Sequence, residues 1–259
     1  MSKKYLLGTL LILLMVPGSS GRAQEQGSKL GIDLDTTFVS KYLWRGYDLF
    51  DDKGAWQPSI NYDILGTGFN ANVWGSFPIG SGNENWTELD YTFGYGHTFF
   101  EEEKYALEIG GNYIYYDYPK LNRFADTQEI GVGIALPRLI SFGEIALVPG
   151  YYGGKLWPTK GQDDVAGGVH ILSLNCDIPV PCPIRKDVDQ VFSLFTDLTY
   201  NDGAFNADHD WSHATVGLST GFAIGPVTVT PALYYQKSMD DSVNNEDELW
   251  GGLSVSYSF

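Results

Sequence analysis

Apolar and polar residues alternate at every second position through most of this chain. Leu30, Ile32, Leu34, Thr36, Phe38, Ser40, Tyr42 and Trp44 fall on one face of an extended segment. Gly31, Asp33, Asp35, Thr37, Val39, Lys41, Leu43 and Arg45 fall on the other. A period of two is the mark of a β-strand with one dry and one wet face. The pattern returns near residues 56–64, 69–77, 88–99, 105–115, 128–136, 144–151, 169–175, 191–200, 213–222, 227–235 and 249–259, which predicts about twelve strands. Segment 169–175 is the least regular, because Ile171 and Leu172 make both faces apolar. Pro58 interrupts the second strand, where a bulge would accommodate it.

The connections alternate in length. Turns near 65–68 and 101–104 are short, whereas 46–53, 78–84, 117–126, 153–168, 201–210 and 237–248 are long and polar. Transmembrane antiparallel β-barrels are built this way, with long loops outside and short turns in the periplasm. An even strand count leaves both ends of residues 30–259 on the periplasmic side, as one barrel domain. Trp44, Trp56 and Tyr115 then mark the outer interface, and Tyr62, Phe99, Tyr105 and Phe259 the periplasmic one, as aromatic girdles do. The connection holding Cys176 and Cys182 is long where a short turn is due.

The chain ends on a strand whose apolar face is Leu249, Gly251, Leu253, Val255, Tyr257 and Phe259. This ending resembles the C-terminal signal of Gram-negative outer-membrane barrels, in which a terminal Phe is read by the β-barrel assembly machinery. The resemblance implies that role for Tyr257 and Phe259, and outer-membrane lipids and lipopolysaccharide as surroundings.

At the other end, Lys3 and Lys4 precede an apolar run over 5–16, followed by Pro17 and the small residues Gly21 and Ala23. Residues 1–23 read as a cleaved signal peptide, since about twelve apolar residues are too few for a spanning helix. Residues 24–29 form a short lead. Losing Lys3, Lys4 and Arg22 shifts the formal charge from −16 to −19. Such acidity excludes a nucleic-acid partner, which needs a basic footprint. Export to an oxidising compartment makes a Cys176–Cys182 disulfide the expectation. The pair has no nearby His, so no metal site or other cofactor is expected.

Residues 38–46, with Gln57-Pro58-Ser59 after them, resemble the first hairpin of the TorF-type porins. The resemblance is clearest over 33–62 and diffuse beyond, and it implies an outer-membrane porin.

Other motifs carry less. Gly217-Leu218-Ser219-Thr220-Gly221 has the G-x-S-x-G spacing of serine hydrolases, but that motif works on a strand-to-helix elbow and here lies within a strand. His213 faces the same way as Ser219 but about 20 Å along it, and His97 and His170 show no partner. Asn85-Trp86-Thr87 is a chance sequon. Asp240, Asp241 and Glu246 to Glu248 form an acidic loop whose spacing fits no calcium loop. No catalytic residue is assigned.

Asp33, Asp35, Asp63, Glu88, Asp90, Glu108, Glu129, Glu144 and Asp197 fall on inward faces, against Lys41 and Arg45. The expectation is a passive channel for small solutes or ions that prefers cations. Lys41 and Arg45 are placed opposite Glu88 and Asp90, to set a transverse field. An outer-membrane lipid-modifying enzyme is the alternative. So is a plugged structural or adhesive barrel, given inward Trp74, Trp250 and Phe195.

Overall fold

The computed structural model describes residues 30–143, 145–161, 163–181 and 189–259. Twelve antiparallel strands close into a barrel. They are β1 (Ile32–Val39), β2 (Ala55–Asp63), β3 (Phe69–Pro78), β4 (Glu88–Phe99), β5 (Leu107–Asp117) and β6 (Thr127–Ala135). Then come β7 (Ile145–Pro158), β8 (Gly167–Pro181), β9 (Asp189–Asp202), β10 (His209–Thr220), β11 (Val227–Ser238) and β12 (Glu248–Ser258). Each strand pairs with its sequence neighbours, and β12 closes on β1 through Leu34–Tyr257 and Phe38–Leu253. Among the described residues closure leaves no unpaired edge to the barrel, which a bilayer requires.

The period-two sequence produces this wall directly. In β6, Glu129, Gly131, Gly133 and Ala135 are buried inward, while Ile130, Val132 and Ile134 are exposed outward. The same outward exposure holds for Val73, Phe93, Leu172, Leu218, Leu233 and Leu253. An apolar exterior around a polar interior inverts a water-soluble protein and matches a lipid solvent. Trp56, Phe99, Tyr105 and Phe259 are exposed as girdle residues should be.

Several expectations need correction. The first strand ends at Val39, not at Arg45; residues 40–54 leave the wall and fold into the lumen. Trp44 is therefore no girdle residue, and Lys41 and Arg45 are not on a strand face. Pro58 needs no bulge: the β2–β3 ladder keeps one register and skips Gln57 and Pro58, between Trp56–Phe77 and Ser59–Trp74. β7 runs on to Pro158, through residues read as loop. β8, the least regular prediction, is the longest strand and carries Cys176 and the residues after it as far as Pro181. Both of its neighbours hold it, with Cys176 opposite Leu147 and Leu194. Cys182 lies outside the described residues. Cys176 and Pro181 are about 16 Å apart along an extended strand, so a bridge to Cys182 would require the end of β8 to leave the ladder. His170 has a partner after all, its Nδ1 lying 2.7 Å from the Tyr151 hydroxyl on the outer surface. Residues 1–29, with the signal peptide and lead, lie outside the described residues.

Candidate functional site

The site is the lumen, and residues 40–54 dominate it. Two short strands, Leu43–Trp44 and Tyr47–Asp48, pair as a small hairpin. Its two turn residues both have left-handed backbones, Arg45 at φ 49° and Gly46 at φ 94°. Consecutive positive φ angles at a two-residue turn are the type I′ geometry that matches strand twist. Gly46 fits because a Cβ there would lie 2.6 Å from His213 Nδ1. Arg45 is not a residue that favours this conformation, and it is held there by what it touches.

Arg45 Nη2 donates to Glu129 Oε1 at 2.7 Å. The Tyr116 hydroxyl donates to Glu129 Oε2 at 2.7 Å and the Tyr152 hydroxyl to Oε1 at 2.5 Å. Gly154 leaves room for this carboxylate, since a Cβ there would collide with it. The guanidinium lies 4.8 Å from the Trp44 ring centre and 5.7 Å from that of Tyr152, within cation–π range. Trp44 packs edge-on against Tyr116 and Phe205.

The base of the loop is tied as firmly. Lys41 donates to Glu248 at 2.7 Å and also pairs with Asp52. Those two carboxylates hold its ammonium above the usual lysine range. The Tyr42 hydroxyl donates to Glu88 Oε2 at 2.8 Å, and the Tyr118 hydroxyl to Oε1 at 2.7 Å. Tyr42 also contacts Phe50 and Trp74. Gln236 and Asn244 both donate to the Gly46 carbonyl, and Asn201 donates to the Tyr47 hydroxyl. The loop thus spans the bore, touching walls on opposite sides of the barrel.

The predicted lumen residues divide into three groups. Glu88, Asp90 and Glu129 gather at the loop. Asp33, Asp35, Glu108 and Asp197 line the wall below it, Asp197 lying 3.7 Å from His213. Asp63 is the exposed last residue of β2, and its Oδ1 accepts from Gly66 N at 2.9 Å. Glu144 lies outside the described residues. The transverse field is not arranged as expected: Arg45 faces Glu129 and Lys41 faces Glu248 and Asp52, not Glu88 and Asp90. Sequence reasoning missed Glu248, Tyr116, Tyr152 and Asp177, which accepts from Ser193 at 2.6 Å. Each would follow from extending the period-two count past the assumed strand ends. Asp48, Asp52 and Glu248 cluster closely enough to suggest a metal, but Lys41 already supplies the cation to two of them. Ser219 sits in the β10 ladder opposite Ser193 and Ala232, remote from His213.

The sequence matches no family model and no curated protein. Solved structures do match. The NanC porin aligns with TM-score 0.53 and 11% identity, over 88% of this chain and 100% of that one. The KdgM porin gives TM-score 0.53 and 12% identity over 88% and 99%. An outer membrane channel from Pseudomonas putida F1 gives TM-score 0.51 and 8% identity over 93% and 100%. The shared property is the fold, that of outer-membrane β-barrels.

Proposed function

We propose that this protein is an outer-membrane channel for passive diffusion of small solutes or ions, with a preference for cations. The observation that carries this reading is the wall below the loop. There Asp35, Ser59, Asn61, Asn112, Ser173 and Asn175 face inward and stay partly solvent-accessible. Barrels that serve only as anchors have no need of a wetted polar bore. The likeness to porins of matching length and the resemblance of residues 33–62 to TorF-type porins support the same reading. Lipopolysaccharide at the outer girdle and the assembly machinery acting on Tyr257 and Phe259 belong to this proposal.

Cation preference follows from the pairing. Both predicted lumen bases are matched to carboxylates, so Asp33, Asp35, Asp90, Asp177 and Asp197 dominate the field in the bore. Low-dielectric walls focus that field and enrich counter-ions. A plugged barrel is the second reading. It is favoured by the tight packing at the loop, where Phe50 is 1% and Leu156 0% exposed. Conductance of the refolded chain in planar bilayers separates the two, since a plugged barrel stays silent.

A further inference from the structure

The lipid-facing wall is apolar around most of the barrel, but not where β7 to β10 reach the long loops. Two outward rows cross these strands there. The row nearer the loops is Lys155, Gly168, Asp202 and His209; the next is Gly153, His170, Tyr200 and Trp211. Lys155 and Gly153 sit opposite Ile130 and Val132 of β6, both exposed on the lipid face. An ammonium and an imidazole thus lie among lipid-facing residues rather than beyond them. A charge on the lipid face of a barrel is costly, and an ionisable residue there is read as functional by default.

Lys155 is exposed and makes no hydrogen bond or ion pair with another described residue. Asp202, the acid of its row, accepts from His209 Nδ1 at 2.6 Å. His170 is also exposed, and its Nδ1 lies 2.7 Å from the Tyr151 hydroxyl. With that hydroxyl donating, Nε2 carries the ring proton and is left as a donor. Gly153 lets Tyr151 reach across, since a Cβ there would stand 2.8 Å from its hydroxyl. Lys155 and His170 are diagonal neighbours on one face of an antiparallel pair, about 7–8 Å apart, and Gly153 and Gly168 hold the other two corners. The oxygens of one phosphate bridge such a span. Tyr200 and Trp211, with ring centres 5.5 Å apart, stand beside it, as amphipathic rings do at headgroup level. We propose that this patch holds a phosphate of outer-leaflet lipopolysaccharide, with Lys155 and His170 Nε2 as donors and Tyr151 as the positioning residue for the imidazole. The phosphate supplies the anion that Lys155 lacks, in charge-assisted hydrogen bonds. The site rests on the outer-membrane reading and deepens it, by giving its lipopolysaccharide contact a place on the barrel.

Native mass spectrometry of the full refolded chain, titrated in micelles with bisphosphorylated lipid A or its fully dephosphorylated form, tests the site without requiring conduction. The phosphorylated lipid is expected to bind severalfold more tightly. Lys155→Gln and Tyr151→Phe, each checked for heat-modifiable mobility, should weaken the phosphorylated lipid severalfold and leave the dephosphorylated one unchanged. Lys237→Gln removes an outward ammonium already paired with Asp247 at 2.9 Å, and should change neither. Equal binding of the two lipids, unchanged binding in both patch variants, or displacement by an equal concentration of inorganic phosphate overturns the proposal. So does a dimer of the chain that Lys155→Gln disperses, which would make the patch a contact between copies. A silent bilayer with phosphate-dependent lipid binding intact overturns the channel reading alone, whereas a conducting barrel indifferent to the lipid phosphates overturns only this site.

Discussion

Arg45 Nη2 and Glu129 Oε1 meet at 2.7 Å inside the barrel, with side chains 2% and 0% exposed. One comes from a loop hairpin and the other from the wall strand β6. The contact fixes the loop inside the bore. A buried pair of this kind contributes little net stability relative to an apolar pair, but removing one partner strands the other charge, at a cost of about 3–5 kcal/mol.

Glu129→Gln should therefore release the hairpin tip while the barrel persists. The expected result is a larger single-channel conductance with heat-modifiable mobility preserved. Replacing both members by Met should restore much of the lost stability, because no charge is then left unpaired.

Gly46→Ala probes the turn rather than the charge. The substitution forces an L side chain into φ 94° and against His213 and Val243. A left-handed backbone alone costs about 1–2 kcal/mol. Trypsin should then cut near Lys41 and Arg45 faster in proteoliposomes of the variant than in wild type.

Lys41 gives the pH dependence. Its pairing with Asp52 and Glu248 raises its folded pKa above the free-loop value. The contribution is then fully present below the ordinary lysine value of about 10.4, and is lost only as pH climbs through the raised one. Protection of the loop from protease should thus stay flat from about pH 7 to about pH 10. Lys41→Met should lower that protection across the whole range.

How much of this was legible follows from where regular pairing holds. The period-two alternation in β3 to β6 and in β10 to β12 gave those strands and their lipid faces, because one dry and one wet surface leave register little freedom. It misled where a polar bore admits other structure. Residues 40–45 keep the alternation, yet Tyr42, Trp44 and Arg45 serve an inward hairpin, since aromatic rings suit a packed plug as well as a girdle. The signal against a continuing strand was Arg45-Gly46, which supports a two-residue turn at once. β8 was the least regular of the predicted strands because Ile171 packs in the cluster that Trp44 joins, so its inward face is apolar there. The lumen acids were readable by parity, but which acid meets which base was not, because that depends on a loop crossing the bore.

Phe259 joins the two ends of the barrel. Its amide donates to the Ile32 carbonyl at 2.9 Å, its carbonyl accepts from Leu30 N at 3.1 Å, and its ring packs on Tyr257 at 4.5 Å. Deleting Phe259 should reduce the amount of heat-modifiable, membrane-inserted protein without reducing synthesis. Unaltered insertion would show that neither closure nor recognition depends on it.

The reversal potential across a KCl gradient in planar bilayers tests an open, cation-preferring bore most directly. Salt screens charges over about 8–10 Å at physiological strength, so the preference should be greatest at low ionic strength. Asp35→Asn/Asp197→Asn should reduce it. The expected reversal potential has the sign set by K⁺ permeation. An anion-selective potential, or no conductance at all, would contradict it.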